Sequence, residues 1–430
     1  MARAWQIADV APDADVSFSH DSQARCEKTH AAGAVSLEIV LPCARARTNV
    51  LLNIRWFFKM SVFHVELKKT IDDSYDVTIG QELVPTLIRD LKKGLDGGVK
   101  KLAVITDSNV EELYGGPICQ ALVGAGYQAE LFVFPAGEKS KVRSVKELLE
   151  DSMLGSGFRR DCMVIAVGGG VVSDLAGFVA GTFGRGVPYI NYSTTLLAAA
   201  DAAVGGKTAV DTPLATNLIG LIYQPKKVYV DIDTWKTLPR EHMINGLAET
   251  VKHGCLADLK LFEYLEKNTE KILECDPEAC TYISEHNCNV KYQVVMKDER
   301  KSGLREILNL GHTVGRAIET VSDYQLLHGE AVSIGLVAQA RLGAKHRYMT
   351  LDECERVINL LSHIGLPVTI PDYIDREELV KKLYTDKKVR DGKLRFVFQK
   401  RIGNVMSFDG GESYAKPVSE DEIRGIIMKM

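Results

Sequence analysis

A chain of 430 residues is long for one hydrophobic core, and domains of about 100–200 residues predict two lobes with a cleft between them. Its 53 basic and 57 acidic side chains are mixed along the chain for a formal net charge of −4, which leaves no basic stripe for nucleic acid and no polybasic membrane anchor. The longest apolar runs, such as LLAAADAAVGG, stop well short of the ~20 residues that span a bilayer, and nine scattered cysteines without a C-x-x-C pair predict a reduced, cytoplasmic protein whose partner is a small molecule.

Residues 1–59 mix Ala, Arg, Asp and Ser with weak periodicity. They lack the charged start, apolar core and small-residue cleavage site of a secretory signal, and they carry too many acids for a transit peptide. They read as a disordered or poorly ordered extension, and Met60 opens a cleaner pattern that can serve as a later start.

From 60 to 235 short β-rich runs alternate with helical segments: VFHVEL, ELVPTLIRDLKKGL, KLAVITD, ICQALVGAG, AELFVFP, SVKELLEDSML and CMVIAVGGG. Strand followed by helix, repeated, predicts a Rossmann-like α/β domain with a mostly parallel sheet. Within it VIAVGGGVVSDLAGF (164–178) runs from a strand through Gly168, Gly169 and Gly170 into a helical pattern with Asp174 in its early turns. Glycines there let a pyrophosphate approach the backbone, and a helix start offers free N–H groups to negative charge. This is not G-x-G-x-x-G, and a tight bend where strand and helix pack closely explains a bare triplet as well. TDSN (106–109) and AGEKSK (136–141) follow other strands at the same C-terminal sheet edge, where open α/β sheets bind ligands, so three loops together favour a dinucleotide site.

YSTTLLAAADAAVGGKTAVDTPLATNLIG (192–220) adds the Thr194 and Thr195 hydroxyls, and it sets Lys207 behind a Gly205–Gly206 turn. Asp201 and Lys207, charges in an apolar, small-residue stretch, are expected as an ion pair inside the cleft.

From 236 to 430 the 3.6-residue period dominates, in INGLAETVKHGCL, LKLFEYLEKNTEKIL, EACTYISEHNCNVKYQVVM, LDECERVINLLSHIG and REELVKKLYTD, with a short β element at KLRFVFQKRIGNVMSF. A mainly α-helical domain is expected. Glu249 and Lys252 share a helical face, Arg305, Asn309 and His312 step along another at spacings of four and three, and His328 heads a following helix. Two histidines and a carboxylate make a ligand set suited to zinc with open positions for substrate oxygens. A lone histidine is more often a satisfied core residue, but Lys252, Lys291, Arg305, Lys387 and Lys388 add an anion-binding setting. Metal and cations together imply a phosphorylated, oxygen-rich substrate.

The run from GGGVVSDLAGFVAGTFGRG through STTLLAAADAAVGGKTAVDTP, NLIGLIYQPKKVYVDIDTWKTLPRE, NGLAETVKHG, LREILNLGHT and LLHGEAV resembles the 3-dehydroquinate synthases of the sugar phosphate cyclase family, over about residues 65–425. The resemblance implies an NAD-binding α/β half, a helical half holding zinc or cobalt, and a homodimer. It implies a lyase that converts 3-deoxy-D-arabino-heptulosonate 7-phosphate to 3-dehydroquinate and phosphate, on the route to chorismate and the aromatic amino acids, by transient oxidation with NAD, phosphate elimination, re-reduction and aldol closure. By position, Glu249, His312 and His328 fall on the metal ligands. Asp107, Asn109, Gly137, Glu138, Lys139, Lys141, Gly169, Gly170, Val171, Val172, Ser173, Asp174, Thr194, Thr195, Thr216, Thr234, Trp235, Lys236 and Thr237 fall where the family binds NAD, and Lys207 where it meets cofactor and substrate. Asp201, Asn217, Lys252, Lys291, Arg305, Asn309 and Lys387 fall on substrate positions, and Arg185 on a phosphate-contacting one that a partner subunit can supply.

Three departures stand out. The family reads Gly-His-x-x-Gly-His where this chain has Arg316 at the second histidine, its lysine before the site asparagine is Thr216, and its pair of serines after Asp201 is Ala202 and Ala203. Arginine cannot shuttle a proton near neutral pH, although it can clamp a phosphate or carboxylate. Rival readings are a valiolone-, deoxygadusol- or inosose-type cyclase, a glycerol dehydrogenase-like metal alcohol dehydrogenase, and a catalytically dead paralogue that binds a ligand or partner. The Arg305 and Asn309 positions speak against the first.

Overall fold

The computed structural model describes residues 24–27, 34–42, 49–57, 64–67 and 72–430, apart from 299–302, 324, 385–388, 391–392 and 412. The chain forms two compact units, Met1–Ile71 and Asp72–Met430. In the first, β1 (Ala24–Glu27), β2 (Ala34–Pro42) and β3 (Asn49–Phe57) form an antiparallel meander, with β2 and β3 paired along nine residues. The alternation in AVSLEIVLP suits such a sheet. The expected strand at VFHVEL is absent from its described part: residues 64–67 are irregular and exposed, and no strand among the described residues pairs with them. Met60 lies outside the described residues.

In the second unit the chain runs β4 (Asp76–Gly80), α1 (Val84–Asp90), β5 (Lys101–Asp107), α2 (Gly116–Gly124), β6 (Gln128–Phe134), α3 (Arg143–Gly155), β7 (Cys162–Gly168), α4 (Gly170–Thr182), β8 (Tyr189–Ser193), the hairpin β9 (Lys207–Thr212) and β10 (Ala215–Ile222), and β11 (Lys227–Asp231). Six of these strands form a fully parallel sheet in the order β4-β11-β8-β7-β5-β6. CMVIAVG of β7 is buried along its whole length, as a central parallel strand covered on both faces must be. One core, with Ala103, Val164, Leu175 and Val179, fills one side of the sheet, and another, with Leu87, Val104, Ile118 and Ile165, fills the other. The strand order reverses between β5 and β7, so their C-terminal ends open onto the crevice where such sheets take ligands.

The helical half follows as α5 (Arg240–Ala257), α6 (Leu259–Leu273), α7 (Pro277–Lys297), α8 (His312–Val321), α9 (His328–Lys345), α10 (Leu351–Ile364), α11 (Arg376–Leu383), the short strands β12 (Val389–Arg390), β13 (Lys393–Val397), β14 (Gln399–Arg401), β15 (Asn404–Val405) and β16 (Ala415–Val418), and α12 (Glu420–Ile427). Val228, Val230 and Trp235 pack into the same core as Leu247, Val251 and Leu336, so sheet and helices share buried surface. Three glycines bring α8 onto α9. A Cβ at Gly335 would fall 1.8 Å from the Gly311 carbonyl oxygen, and one at Gly315 would fall 3.0 Å from the Ala331 oxygen. Gly311, at φ 80°, turns the chain into α8, and its N–H donates to Gln339 Oε1. No helix among the described residues is long and apolar enough to cross a membrane.

Candidate active site and metal centre

Glu249 points from the middle of α5 into a fully buried position, and His312 and His328 are the first residues of α8 and α9. Glu249 Oε1 lies 3.5 Å from His312 Nε2 and 3.4 Å from His328 Nε2. One ligand atom from each of the three residues falls within 4.8 Å of the others. Both rings are held through their far nitrogens: His312 Nδ1 donates to the Leu310 carbonyl at 3.1 Å and His328 Nδ1 to Glu319 Oε1 at 2.8 Å. On neutral rings that turns both Nε2 lone pairs toward the carboxylate, the tautomer a metal requires. Neither Glu249 oxygen accepts a well-aligned hydrogen bond, although Lys252 Nζ touches Oε2. Burial alone would raise this carboxyl, but Lys252 and then His312 hold it below its ordinary range. Burial opposes the His328 charge, yet Glu319 and Glu249 raise it to about 10, while burial drives His312 well below its ordinary value. A buried carboxylate facing two imidazole Nε2 atoms fits a divalent cation such as zinc, which would take the place of the proton that His328 otherwise carries.

The expected Asp201–Lys207 pair does not form. Asp201 instead meets Lys291 at 2.9 Å, because α7 packs against the 198–202 turn and delivers that ammonium. Burial would raise the Asp201 carboxyl, but Lys291, then Lys252 and Lys207, hold it well below. Lys207 stands at the root of β9 behind Gly205 (φ 96°) and Gly206 (φ 64°). That turn is pinned on two sides: the Gly205 N–H donates to the Tyr75 hydroxyl at 2.9 Å, and its carbonyl accepts from Arg305 Nη2 at 3.2 Å. The Lys207 ammonium reaches solvent along the cleft, yet crowding by protein pushes it down to about 7, with Arg305, Lys291 and Arg316 adding to the effect and Asp201 opposing it.

The single face expected for Arg305, Asn309 and His312 is not a continuous helix. Leu304–Asn309 is a 3-10 turn, and Gly311 breaks it from α8, so Arg305 swings to Gly205 while His312 turns to Glu249. Asn217 (φ 53°) and Thr216 lie on the β10 hairpin, where the Asn217 N–H donates to Asp211 Oδ1 at 2.6 Å. Arg185 is exposed in a left-handed turn and forms no ion pair with this cluster among the described residues, whereas Lys387 and Lys388 lie outside the described residues.

Residues 131–245 match the family described as 3-dehydroquinate synthase N-terminal, and residues 246–389 the one described as 3-dehydroquinate synthase C-terminal. A 3-dehydroquinate synthase of Pelobacter propionicus is 44% identical over 349 residues, 81% of this chain and 95% of the relative. This chain belongs to the 3-dehydroquinate synthase family. Among solved structures, a 2-epi-5-epi-valiolone synthase from Streptomyces hygroscopicus with NAD+ and Zn2+ bound superposes with a TM-score of 0.75 at 27% identity, covering 85% of this chain and 99% of that one. A 2-deoxy-scyllo-inosose synthase complexed with carbaglucose-6-phosphate, NAD+ and Co2+ gives a TM-score of 0.75 at 23% identity, covering 82% and 96%, and shares the fold.

Most of the positions expected to meet a dinucleotide follow the C-terminal ends of β5, β6, β7, β8 and β11, whereas Thr216 lies on the β10 hairpin. Asp107 Oδ1 accepts from the Asn109 and Val110 N–H groups at 2.9 and 3.1 Å, which fixes the first loop. Gly169 caps α4 without a side-chain bond, leaving N–H groups for an anion, and the buried Thr194 hydroxyl has no partner of its own. Gly168 is glycine for packing, since a Cβ there would fall 2.5 Å from Val172 Cγ2. Gly137 (φ 103°) opens the second loop, whose Glu138 and Lys139 are followed by Lys141. Lys141 is buried against Glu138, with Asp174 at 3.5 Å and Asp211 at 3.7 Å. Burial raises Asp174 to about 6 against the pull of Lys141. Val171 and Val172 continue α4, and Ser173 Oγ donates to the Gly170 carbonyl at 3.0 Å. Thr234 Oγ1 donates to the Thr194 carbonyl at 3.1 Å, Trp235 is buried, Lys236 pairs with Asp233 at 2.5 Å, and Tyr114 meets Thr237 Oγ1 at 2.7 Å. These donors fit a dinucleotide.

Sequence reasoning missed four contributors. Glu319 was readable as the i+7 position of HTVGRAIE, but Tyr75, Asp211 and the His253–Asn287 pair give no local signal. His253 Nδ1 bonds Asn287 Oδ1 at 2.9 Å, and the Asn287 amide donates to Thr250 Oγ1 at 2.9 Å. Asp201, Glu249 and His253 form a second close group of ligand-type atoms, but Lys252 and Lys291 against its carboxylates disfavour a cation there.

Proposed function

We propose that this chain is a 3-dehydroquinate synthase, a carbon–oxygen lyase that converts 3-deoxy-D-arabino-heptulosonate 7-phosphate to 3-dehydroquinate and phosphate. The observation that carries the reading is the Glu249–His312–His328 triad walled by Lys252, Lys291 and Arg305, in a chain of this family. Glu249, His312 and His328 would hold zinc or cobalt, and the β5, β7 and β8 loops would hold NAD. When bound, the metal and the nicotinamide supply Lewis acidity and reversible hydride transfer.

The protein's own part is to bind, orient and balance charge. Lys291 and Arg305 would take the substrate carboxylate, with Arg305 steadied by its hydrogen bond to the Gly205 carbonyl. Lys252 beside Glu249 offers a proton donor at the hydroxyls nearest the triad. Lys207, held near 7, sits between acid and base at working pH and suits the exchange of a proton with the departing phosphate ester.

The reduced cytoplasm suits the chain, since Cys119, Cys162, Cys255, Cys275, Cys280, Cys288 and Cys354 are free thiols. A homodimer suits β10, whose Leu218, Leu221 and Ile222 are exposed on a two-stranded hairpin and whose outer edge has no partner strand among the described residues. Purified protein with NAD, zinc or cobalt and the heptulosonate phosphate should release phosphate and form 3-dehydroquinate. Turnover of an uncarboxylated sugar phosphate instead would replace this reading with a valiolone-type one, and steady NADH from a polyol would replace it with a dehydrogenase.

A further inference from the structure

Gly205 and Gly206 are buried and stand in succession at left-handed φ, 96° and 64°. Two glycines in a row leave the backbone free to twist, so whatever fixes this turn also fixes the groups that lean on it. Three distant parts of the chain supply the contacts. Tyr75, one residue before the edge strand β4, brings its hydroxyl to the Gly205 N–H at 2.9 Å. Arg305 Nη2 donates to the Gly205 carbonyl at 3.2 Å, and the Tyr223 N–H donates to the Gly206 carbonyl at 2.8 Å. On a further side stands α7: a Cβ built on Gly205 would fall 3.1 Å from Val295 Cγ2 and 3.2 Å from Arg305 Nη2.

These contacts are not equivalent. The Tyr223 bond continues the β9–β10 pairing, and Arg305 is the group that leans on the turn. Tyr75 alone of the three comes from a segment that holds no other residue of the cluster, and its half-buried ring is fixed by packing against the core shared by sheet and helices. Without its hydroxyl the Gly205 N–H loses its acceptor in a buried turn, and the two glycines let the turn rotate to find another. The Gly205 carbonyl, and with it the Arg305 guanidinium, would then be free to move.

We propose that Tyr75 is a positioning residue: its hydroxyl locks the Gly205–Gly206 turn and, through the Gly205 carbonyl, sets the direction of Arg305. That Arg305 then meets the substrate carboxylate rests on the synthase reading, whereas the lock itself does not.

Tyr75→Phe keeps the ring and removes only the hydroxyl. In the NAD- and zinc-loaded protein, hydrogen exchange read by mass spectrometry over residues 203–206 should quicken about 5- to 30-fold, the worth of one hydrogen bond, with β7 and α5 unchanged. In phosphate-release assays the KM for the heptulosonate phosphate should rise by a similar factor while kcat changes less, because a carboxylate grip is shared by ground and transition states. NAD and zinc affinities should match the parent's. Exchange within twofold of the parent would overturn the lock. A KM within twofold would overturn the positioning role even if exchange quickened, and an equal loss of NAD and zinc affinity would make Tyr75 a structural residue only. If the parent forms no dehydroquinate, the synthase reading fails and the exchange result alone decides the lock.

Discussion

Gly335→Ala is expected to damage the metal centre from a distance. The new Cβ would sit 1.8 Å from the Gly311 oxygen, 2.8 Å from its carbonyl carbon and 3.0 Å from the Gly315 nitrogen. An ordinary carbon–oxygen contact is about 3.3 Å, so α8 and α9 must part by roughly 1.5 Å at their crossing. All three opposing atoms are backbone, so no side chain can swing away. Overpacking of this kind costs about 1–3 kcal/mol. His312 follows Gly311 directly, while His328 and Gly335 share α9, so the same displacement opens the triad by more than the ~0.5 Å a site tolerates. Zinc affinity, read by competition with a chromogenic chelator, should fall at least about 10-fold. Gly425→Ala in α12, where a Cβ meets nothing within 4 Å, is the control and should raise stability by about 0.5–1 kcal/mol. A Gly335→Ala protein with parental zinc affinity would refute the rigid transmission from crossing to centre, even if its melting temperature dropped.

Glu319→Gln should weaken zinc about 10- to 100-fold with little loss of fold, because the amide carries no charge to strengthen the ring as a ligand and can present its NH2 as well as its oxygen to Nδ1; zinc titration and thermal melts separate the two effects. His253, fully buried, is pushed down to about 4, first by burial and then by Lys252. Its folded value lies below its unfolded one, so its contribution, of order 3 kcal/mol, is present above about 6.5 and is lost as pH falls toward 4. Urea melts of His253→Gln should show a flatter decline over that window, and an unchanged slope would count against it. Lys141→Met leaves Glu138, Asp174 and Asp211 facing one another and should destabilise the protein by about 3 kcal/mol, with NAD affinity falling alongside in a fluorescence titration.

Much of the α/β half is legible in the sequence. KLAVITD is β5 and CMVIAVG is β7, because apolar runs bounded by turns have few other solutions, and LKLFEYLEKNTEKIL is α6 from end to end. The triad is legible for a similar reason, since Glu249, His312 and His328 each carry a local motif. Partner choice is not legible. Lys291 takes Asp201 away from Lys207 across ninety residues of chain, and Tyr75 holds Gly205 from β4's approach, contacts that only tertiary packing decides. The break at Gly311 is missed because spacing alone cannot distinguish one helix from a 3-10 turn followed by another.

Lys141 ties the loop after β6, the first turns of α4 and the hairpin into one knot, and its own carbonyl accepts the Asp211 N–H at 2.7 Å. The hairpin it fastens is the one that begins at Lys207. A ligand that orders the loop therefore also sets the hairpin's root, and by thermodynamic reciprocity whatever factor the dinucleotide adds to phosphate affinity, phosphate adds to the dinucleotide's. Where that factor exceeds one, the cofactor is held hardest while the substrate is aboard and less tightly once the leaving group has gone.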